Sequence, residues 1–242
     1  MTLYQPLLKD TLDGKKKFAV LIDPDKYTPE SLSVVTKLAM SGGIDYFFVG
    51  GSLLLHDNHS ELIAYLKDNT GIPVVLFPGN NMQLNNRADS ILLLSLISGR
   101  NPDMLIGRHV ISAPYLRASS LEILSTGYML IDSGSATAVN YMSNTTPIPA
   151  HKNDIAVCTA LAGEMLGLKL IYMDAGSGAK NPVPLSMIEK VKKSIGIPLI
   201  IGGGITSAQM AKAAFNAGAD VVVVGNAIEC HPELIMQIAE VR

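Results

Sequence analysis

Leu170-Ile171-Tyr172-Met173-Asp174-Ala175-Gly176-Ser177-Gly178-Ala179 passes from an apolar, β-rich run into a carboxylate and then into a glycine-rich loop. The same succession recurs downstream, where Leu199–Ile201 leads into Gly202-Gly203-Gly204 and Val221–Val224 into Gly225-Asn226. Amphipathic stretches of helical length, Leu185–Lys193 and Ser207–Ala217, separate these runs. Strand, glycine loop and helix in repetition is the pattern of a parallel α/β sheet, because each strand needs a crossover before it can pair with the next.

Upstream the pattern continues at Phe18–Ile22, Tyr46–Val49, Val74–Phe77, Ile91–Ile97 and Tyr128–Ile131, with helices expected at Glu30–Met40, His59–Asp68 and Asp154–Leu166. The runs are apolar throughout rather than alternating, as strands buried on both faces must be. Eight such units in 242 residues match one (β/α)8 barrel, for which about 250 residues is typical. The expected fold is therefore α/β, a (β/α)8 TIM barrel forming a single domain over 1–242. Two echoes agree with repeated units: Gly71-Ile72-Pro73-Val74-Val75 resembles Gly196-Ile197-Pro198-Leu199-Ile200, and Gly43-Ile44-Asp45-Tyr46 resembles Gly218-Ala219-Asp220-Val221. The Asn-rich stretch Pro78–Asp89 is too short and irregular for a full helix, so the third helix is expected to be missing or vestigial. Ser143–Pro149 reads as a long loop.

Composition narrows the function classes. Apolar residues make up 48% and charged residues 17% of the chain, enough to bury a large core. A net charge of −2 provides no global field for nucleic acid, so no nucleic-acid partner is expected. The cysteines Cys158 and Cys230 lack metal-ligand spacing, and so sparse a pair fits a reduced, cytoplasmic protein. No leader or transmembrane segment is expected. A mean hydropathy of +0.29 leaves room for an apolar substrate groove or a large subunit interface.

In this fold the active site lies at the C-terminal ends of the strands. Glycines there let backbone N–H groups approach an anion closely, so the three glycine loops point to one phosphate nest, unless they only make tight turns. At the end of the first strand stands Asp23-Pro24-Asp25-Lys26. Carboxylate oxygens there suit Mg²⁺, which commonly joins one or two carboxylates to substrate phosphates. Asp23 is the better ligand, whereas Asp25 reads as the cap of the following helix. Ser52, in Gly50-Gly51-Ser52, offers a neighbouring hydroxyl or an ordinary N-cap. Tyr172 and Asp174 flank Met173 and so face the same side, beside the nest. Asp174 there suits a general base, or a helix cap. His56, His59, His109, His151 and His231 form no metal or catalytic cluster and read as surface or loop residues.

Taken together, Leu21-Ile22-Asp23-Pro24-Asp25-Lys26, Val49-Gly50-Gly51-Ser52, Ser98-Gly99-Arg100-Asn101-Pro102, Tyr172 to Ala179, Gly202-Gly203-Gly204-Ile205 and Val224-Gly225-Asn226 resemble the geranylgeranylglyceryl phosphate synthase family and its bacterial heptaprenylglyceryl phosphate synthase relatives. The resemblance covers essentially the whole chain. It implies transfer of a prenyl group from its diphosphate to the primary hydroxyl of sn-glycerol 1-phosphate, giving an ether lipid precursor. By the matching motifs, Asp23 and Ser52 would hold Mg²⁺ on the diphosphate. Tyr172, Met173, Asp174, Ala175, Gly176, Ser177 and Gly178, with Gly202, Gly203, Gly225 and Asn226, would hold glycerol phosphate. Asp174 and Tyr172 would be the catalytic pair. Phe77, Pro78 and Leu94 are candidate walls of a prenyl groove, or plain barrel core.

Two departures matter. Many relatives carry Glu where this chain has Asp174, one methylene longer. The shorter bacterial branch carries Lys where this chain has Leu21, which points to the longer, geranylgeranyl-type branch. That branch implies a homo-oligomer, dimer or hexamer, with Tyr141 as an interface anchor or a loop tyrosine, and is compatible with a transient membrane contact for product release. The rival readings are another phosphate-binding barrel enzyme acting on a sugar phosphate and a non-catalytic phosphate sensor. The absence of an Asp-Asp-x-x-Asp arrangement argues against prenyl chain elongation.

Overall fold

The computed structural model describes residues 2–56, 58–80 and 83–242. Strands β1 (Lys17–Ile22), β2 (Tyr46–Val49), β3 (Val74–Leu76), β4 (Ser90–Leu96), β5 (Glu122–Leu130), β6 (Leu170–Asp174), β7 (Leu199–Gly202) and β8 (Val221–Val224) pair in sequence order. All pairings are parallel, and β8 returns to β1 to close the barrel. The fold is the expected (β/α)8 TIM barrel.

The pleat of the strands sorts their side chains into two cores. Phe18, Val20, Phe47, Leu76, Met173 and Ile201 point outward against the helices. Ala19, Phe48, Leu92, Tyr128, Tyr172 and Val223 point inward and fill the barrel. Both faces are therefore apolar, which is why the runs carry no alternation. Helix α1 (Tyr4–Leu12) closes the N-terminal end, its Leu3 flank and Leu7 joining the inner core. The Glu122 carboxylate accepts hydrogen bonds from the N–H groups of Leu3 and Tyr4, a favourable charge at a helix start.

The Gly-x-Asp echoes have a physical origin at this same end. The carboxylates of Asp45 and Asp220 accept from the N–H groups of Phe18 and Leu199, at 2.9 and 2.8 Å. Asp89 does the same for Val74 at 2.8 Å. Each aspartate stands just before an even-numbered strand and ties it to the start of the preceding one. Each is also paired with a lysine, Lys17, Lys192 and Lys67 respectively. Asp220→Ala strands the buried Leu199 N–H, which costs about 1–3 kcal/mol. A fall of that size in unfolding free energy, read from the denaturant midpoint, is the expected result.

The remaining helices are α2 (Pro29–Gly42), α3 (His59–Asn69), α4 (Arg108–Ala118), α5 (Ala138–Ser143), α6 (Asn153–Met165), α7 (Leu185–Ser194), α8 (Ala208–Ala217), α9 (Asn226–Cys230) and α10 (Leu234–Val241). Among the described residues no helix lies between β3 and β4, as expected from Pro78–Asp89, though Asn81 and Met82 fall outside the described residues. Three features differ from the sequence reading. Strand β5 begins at Glu122 rather than Tyr128, because Ser125, Thr126 and Gly127 interrupt the apolar run. Gly127 is needed there: a Cβ would lie 2.8 and 2.9 Å from the methyls of Ile97 and Ile171. Helix α4, led in by a π-turn at Asp103–Gly107, carries Pro114 inside it, a residue that reads as a helix breaker. Helix α2 is capped by Thr28 in a reciprocal capping box with Ser31, and not by Asp25.

Candidate active site

A cavity of about 420 Å³ opens at the C-terminal ends of the strands. Of the expected site residues, Asp23, Ser52, Tyr172, Asp174, Gly176, Ser177, Gly178, Gly203, Gly225 and Asn226 line it. Met173 and Ala175 instead face the outer core, since every second residue of β6 and its extension points away from the barrel axis. Gly202 lies beneath Tyr172, whose hydroxyl would sit 2.3 Å from any Cβ at that position.

The glycine loops converge at one end. Gly203 adopts φ +81°, and a Cβ there would stand 2.6 Å from both the Asp174 Oδ1 and the Gly176 nitrogen. The Ser177 hydroxyl donates to the Asn226 Oδ1 at 2.8 Å, tying the loop after β6 to the loop after β8. Backbone this closely packed, at the ends of β6, β7 and β8, is the arrangement that binds phosphate in such barrels.

Asp174 forms the floor of this end and is only 7% exposed. Its Oδ1 accepts from the Gly176 N–H at 2.7 Å and its Oδ2 from the Tyr128 hydroxyl at 2.6 Å. It caps no helix, because the next one starts only at Leu185. Burial raises its carboxyl above the ordinary carboxylate range, and the two hydrogen bonds partly offset this. Beside it, Tyr172 stacks on Phe77 with ring centroids 5.1 Å apart, and Tyr128 lies 5.5 Å from Tyr172. Phe77, Pro78 and Leu94 do line the cavity, together with Met104 and Leu116. They form an apolar arm between β3, β4 and α4.

On the opposite wall the Asp23 carboxylate packs against the backbone before Ser52: a Cβ on Gly51 would lie 3.2 Å from both of its oxygens. Burial raises the Asp23 carboxyl above its ordinary value, opposed by the Asp25 N–H, which donates to it at 3.1 Å. Burial also raises Glu229, with the Asp23 charge adding to the effect. Asp25 turns the other way. It accepts from the N–H groups of Leu55 at 2.6 Å and His56 at 3.1 Å, and so anchors the loop that carries Ser52. Among the described residues no group of three or more carboxylate, histidine or cysteine side chains could enclose a metal. Asp23 and Ser52, which both line the cavity, could offer Mg²⁺ a partial shell, the remaining positions of which substrate phosphate oxygens would fill.

Residues 12–242 match the PcrB family model. The chain belongs to the PcrB family. It is 53% identical to the geranylgeranylglyceryl phosphate synthase of Spirosoma linguale, over 97% of this chain and 95% of that protein. It is 36% identical to the protein of the same name from Methanosphaera stadtmanae, over 96% and 95%. Its backbone superposes with a TM-score of 0.93 on the crystal structure of (S)-3-O-geranylgeranylglyceryl phosphate synthase from Thermoplasma acidophilum in complex with its substrate sn-glycerol-1-phosphate, at 31% identity, covering 100% of this chain and 98% of that one.

Several residues of this PcrB-family site escaped the sequence reading. Gln83, 2% exposed, clamps the second and third loops. Its Oε1 accepts from the Gly79 N–H at 3.1 Å and its Nε2 donates to the Gly51 carbonyl at 2.9 Å. Nothing in the sequence marks it. Arg108 and His109 reach the cavity from α4, so His109 is not the surface residue expected, and His59 is buried. Tyr128 pairs in register with Tyr172 across β5 and β6 and so shares its inward face, a relation that only the closed barrel reveals. Tyr141, on α5, is 87% exposed.

Proposed function

We infer that this PcrB-family chain is a prenyltransferase that joins geranylgeranyl diphosphate to sn-glycerol 1-phosphate, releasing diphosphate and forming geranylgeranylglyceryl phosphate. The observation that carries the reading is one cavity with two unlike ends, a glycine-lined polar end at Asp174 and an apolar arm at Phe77, Leu94 and Met104. A sugar-phosphate enzyme needs the first but not the second. Burying a tail of about twenty carbons at roughly 0.8 kcal/mol per CH₂ makes such an arm a major source of affinity.

In this reading Gly176, Ser177, Gly178, Gly203, Gly225 and Asn226 bind the glycerol phosphate, and Tyr172 closes the wall beside it. Asp23 and Ser52 would hold Mg²⁺ against the diphosphate, where its charge would ease departure of that group. Lys26 and Arg108, both lining the cavity, add positive charge on the protein side. The allylic carbon gains positive charge as its bond to diphosphate breaks, and the Phe77 ring lining the cavity would favour a cation beside it. Asp174 is the base that ends protonated when the attacking hydroxyl is deprotonated. Cytoplasmic localisation and a homo-oligomer are part of the same reading. Exposed Tyr141 and, on the π-turn and α4, exposed Ile106, Val110 and Tyr115 provide apolar surface for the latter.

The test is ether formation from radiolabelled geranylgeranyl diphosphate with sn-glycerol 1-phosphate or its 3-phosphate enantiomer, with Mg²⁺ or EDTA. Product from the 1-phosphate, abolished by EDTA, is expected. No product from folded protein that still binds phosphate would move the reading to a sugar-phosphate enzyme. Asp23→Asn should raise the Mg²⁺ concentration at half-maximal rate by roughly tenfold or more while glycerol phosphate binding is unchanged, as expected for loss of a charged ligand. An unaltered Mg²⁺ titration would remove Asp23 from the metal site.

A further inference from the structure

Asp174 cannot offer a substrate what a freely exposed carboxylate offers. It is almost fully buried, and each of its oxygens already accepts a hydrogen bond, Oδ1 from the Gly176 N–H and Oδ2 from Tyr128. Tyr128 lines the same cavity. Its ring is wedged beside Phe77 and Tyr172, at centroid separations of 6.1 and 5.5 Å, which fixes where its oxygen points. A phenol that donates its one proton to Asp174 keeps lone pairs that can accept another. The tyrosine oxygen is therefore bonded to the carboxylate and still has a lone pair to offer a hydroxyl in the cavity that both residues line.

We propose that Tyr128 is a catalytic residue of this chain, a relay that takes the proton of the attacking hydroxyl and passes its own to Asp174. The proposal rests on the prenyltransferase reading above. As the glycerol oxygen forms its bond to the allylic carbon, the bond from that carbon to diphosphate breaks and its electron pair leaves with the diphosphate. The hydroxyl proton moves to the Tyr128 oxygen while the Tyr128 proton moves to the Asp174 Oδ2. Asp174 ends protonated and Tyr128 ends neutral, so charge and atoms balance with no further reagent. The relay lets a carboxylate whose two oxygens are already engaged receive the proton through a group it is bonded to.

Lengthening the carboxylate by one methylene yields the test. Tyr128→Phe, Asp174→Glu and the double variant are compared with the unaltered protein in single-turnover ether formation from geranylgeranyl diphosphate, sn-glycerol 1-phosphate and Mg²⁺, with glycerol phosphate affinity measured by calorimetry. Tyr128→Phe should lower the rate about 100-fold, a normal size for loss of a proton-transfer group, with affinity nearly unchanged. Asp174→Glu in the Tyr128→Phe background should restore roughly tenfold or more, because a longer carboxylate can reach the hydroxyl directly. Full rate in Tyr128→Phe overturns the relay. So does a failure of Glu to rescue, which would leave Tyr128 as packing or as a mere support for Asp174. Should Tyr128→Phe not fold, the unaltered protein still decides. Two protons in flight give a curved dependence of rate on the D₂O fraction, and a straight line overturns the relay. No ether from the unaltered protein sinks the prenyltransferase reading itself, a separate outcome.

Discussion

Asp174→Asn should bind both substrates and turn over about 10³-fold more slowly, within the range lost when a general base is removed. The size follows from the site: among the described residues that line the cavity at its polar end, Asp174 is the one carboxylate, and the other described acids lining the cavity, Asp23 and Glu229, belong to the opposite wall. Its pH signature is equally specific. The base must be ionised, and burial raises its carboxyl. The ionised fraction therefore falls, as pH drops, at a higher pH than for an exposed aspartate, whose ordinary value is about 3.9. The acid limb of kcat/KM should lie above that value in the unaltered protein and vanish from the residual activity of Asp174→Asn. Asparagine cannot accept from both Gly176 and Tyr128, so its thermal midpoint serves as the control for local damage. Normal turnover with an intact midpoint would remove Asp174 as the base.

Gly203→Ala should raise the KM for glycerol phosphate by about 100-fold and leave prenyl diphosphate binding intact. Two costs combine. The residue is held at φ +81°, where a side chain costs roughly 1–3 kcal/mol, and its Cβ would press on the Asp174 Oδ1 and the Gly176 nitrogen at 2.6 Å. The nitrogen is backbone and the buried carboxylate is held by two hydrogen bonds, so the loop after β6 must move, and with it the surface meant for phosphate. Strand β7 ends at Gly202 and its pairings lie before the substitution, so the barrel should survive. An unchanged KM in Gly203→Ala would show that phosphate binds elsewhere.

Much of this was legible in the amino-acid sequence, for identifiable reasons. A strand buried on both faces is apolar at nearly every position, so seven of the eight strands announced themselves as apolar runs close to their full extent, that of β4 broken only by Ser95. Strand β5 was shortened because Thr126 satisfies its own hydroxyl on the Leu124 carbonyl at 2.8 Å, something a hydropathy pattern cannot register. The glycine loops were legible because left-handed backbone and close approach exclude side chains, and that demand leaves glycine in the sequence. Asp23, Tyr172 and Asp174 were legible because they sit at strand ends, where a barrel places its chemistry.

The roles of Asp25, Gln83 and Tyr128 were not. Each is defined by a partner in another βα unit: Asp25 by Leu55 and His56, Gln83 by Gly51, Tyr128 by Asp174. The sequence by itself determined where the strands run, which turns need glycine and where the strand ends lie, since these follow from local geometry and burial. Only the tertiary structure decided which strand ends touch, because closure of the barrel sets the register between strands, and register selects the pairs of side chains that meet across the cavity.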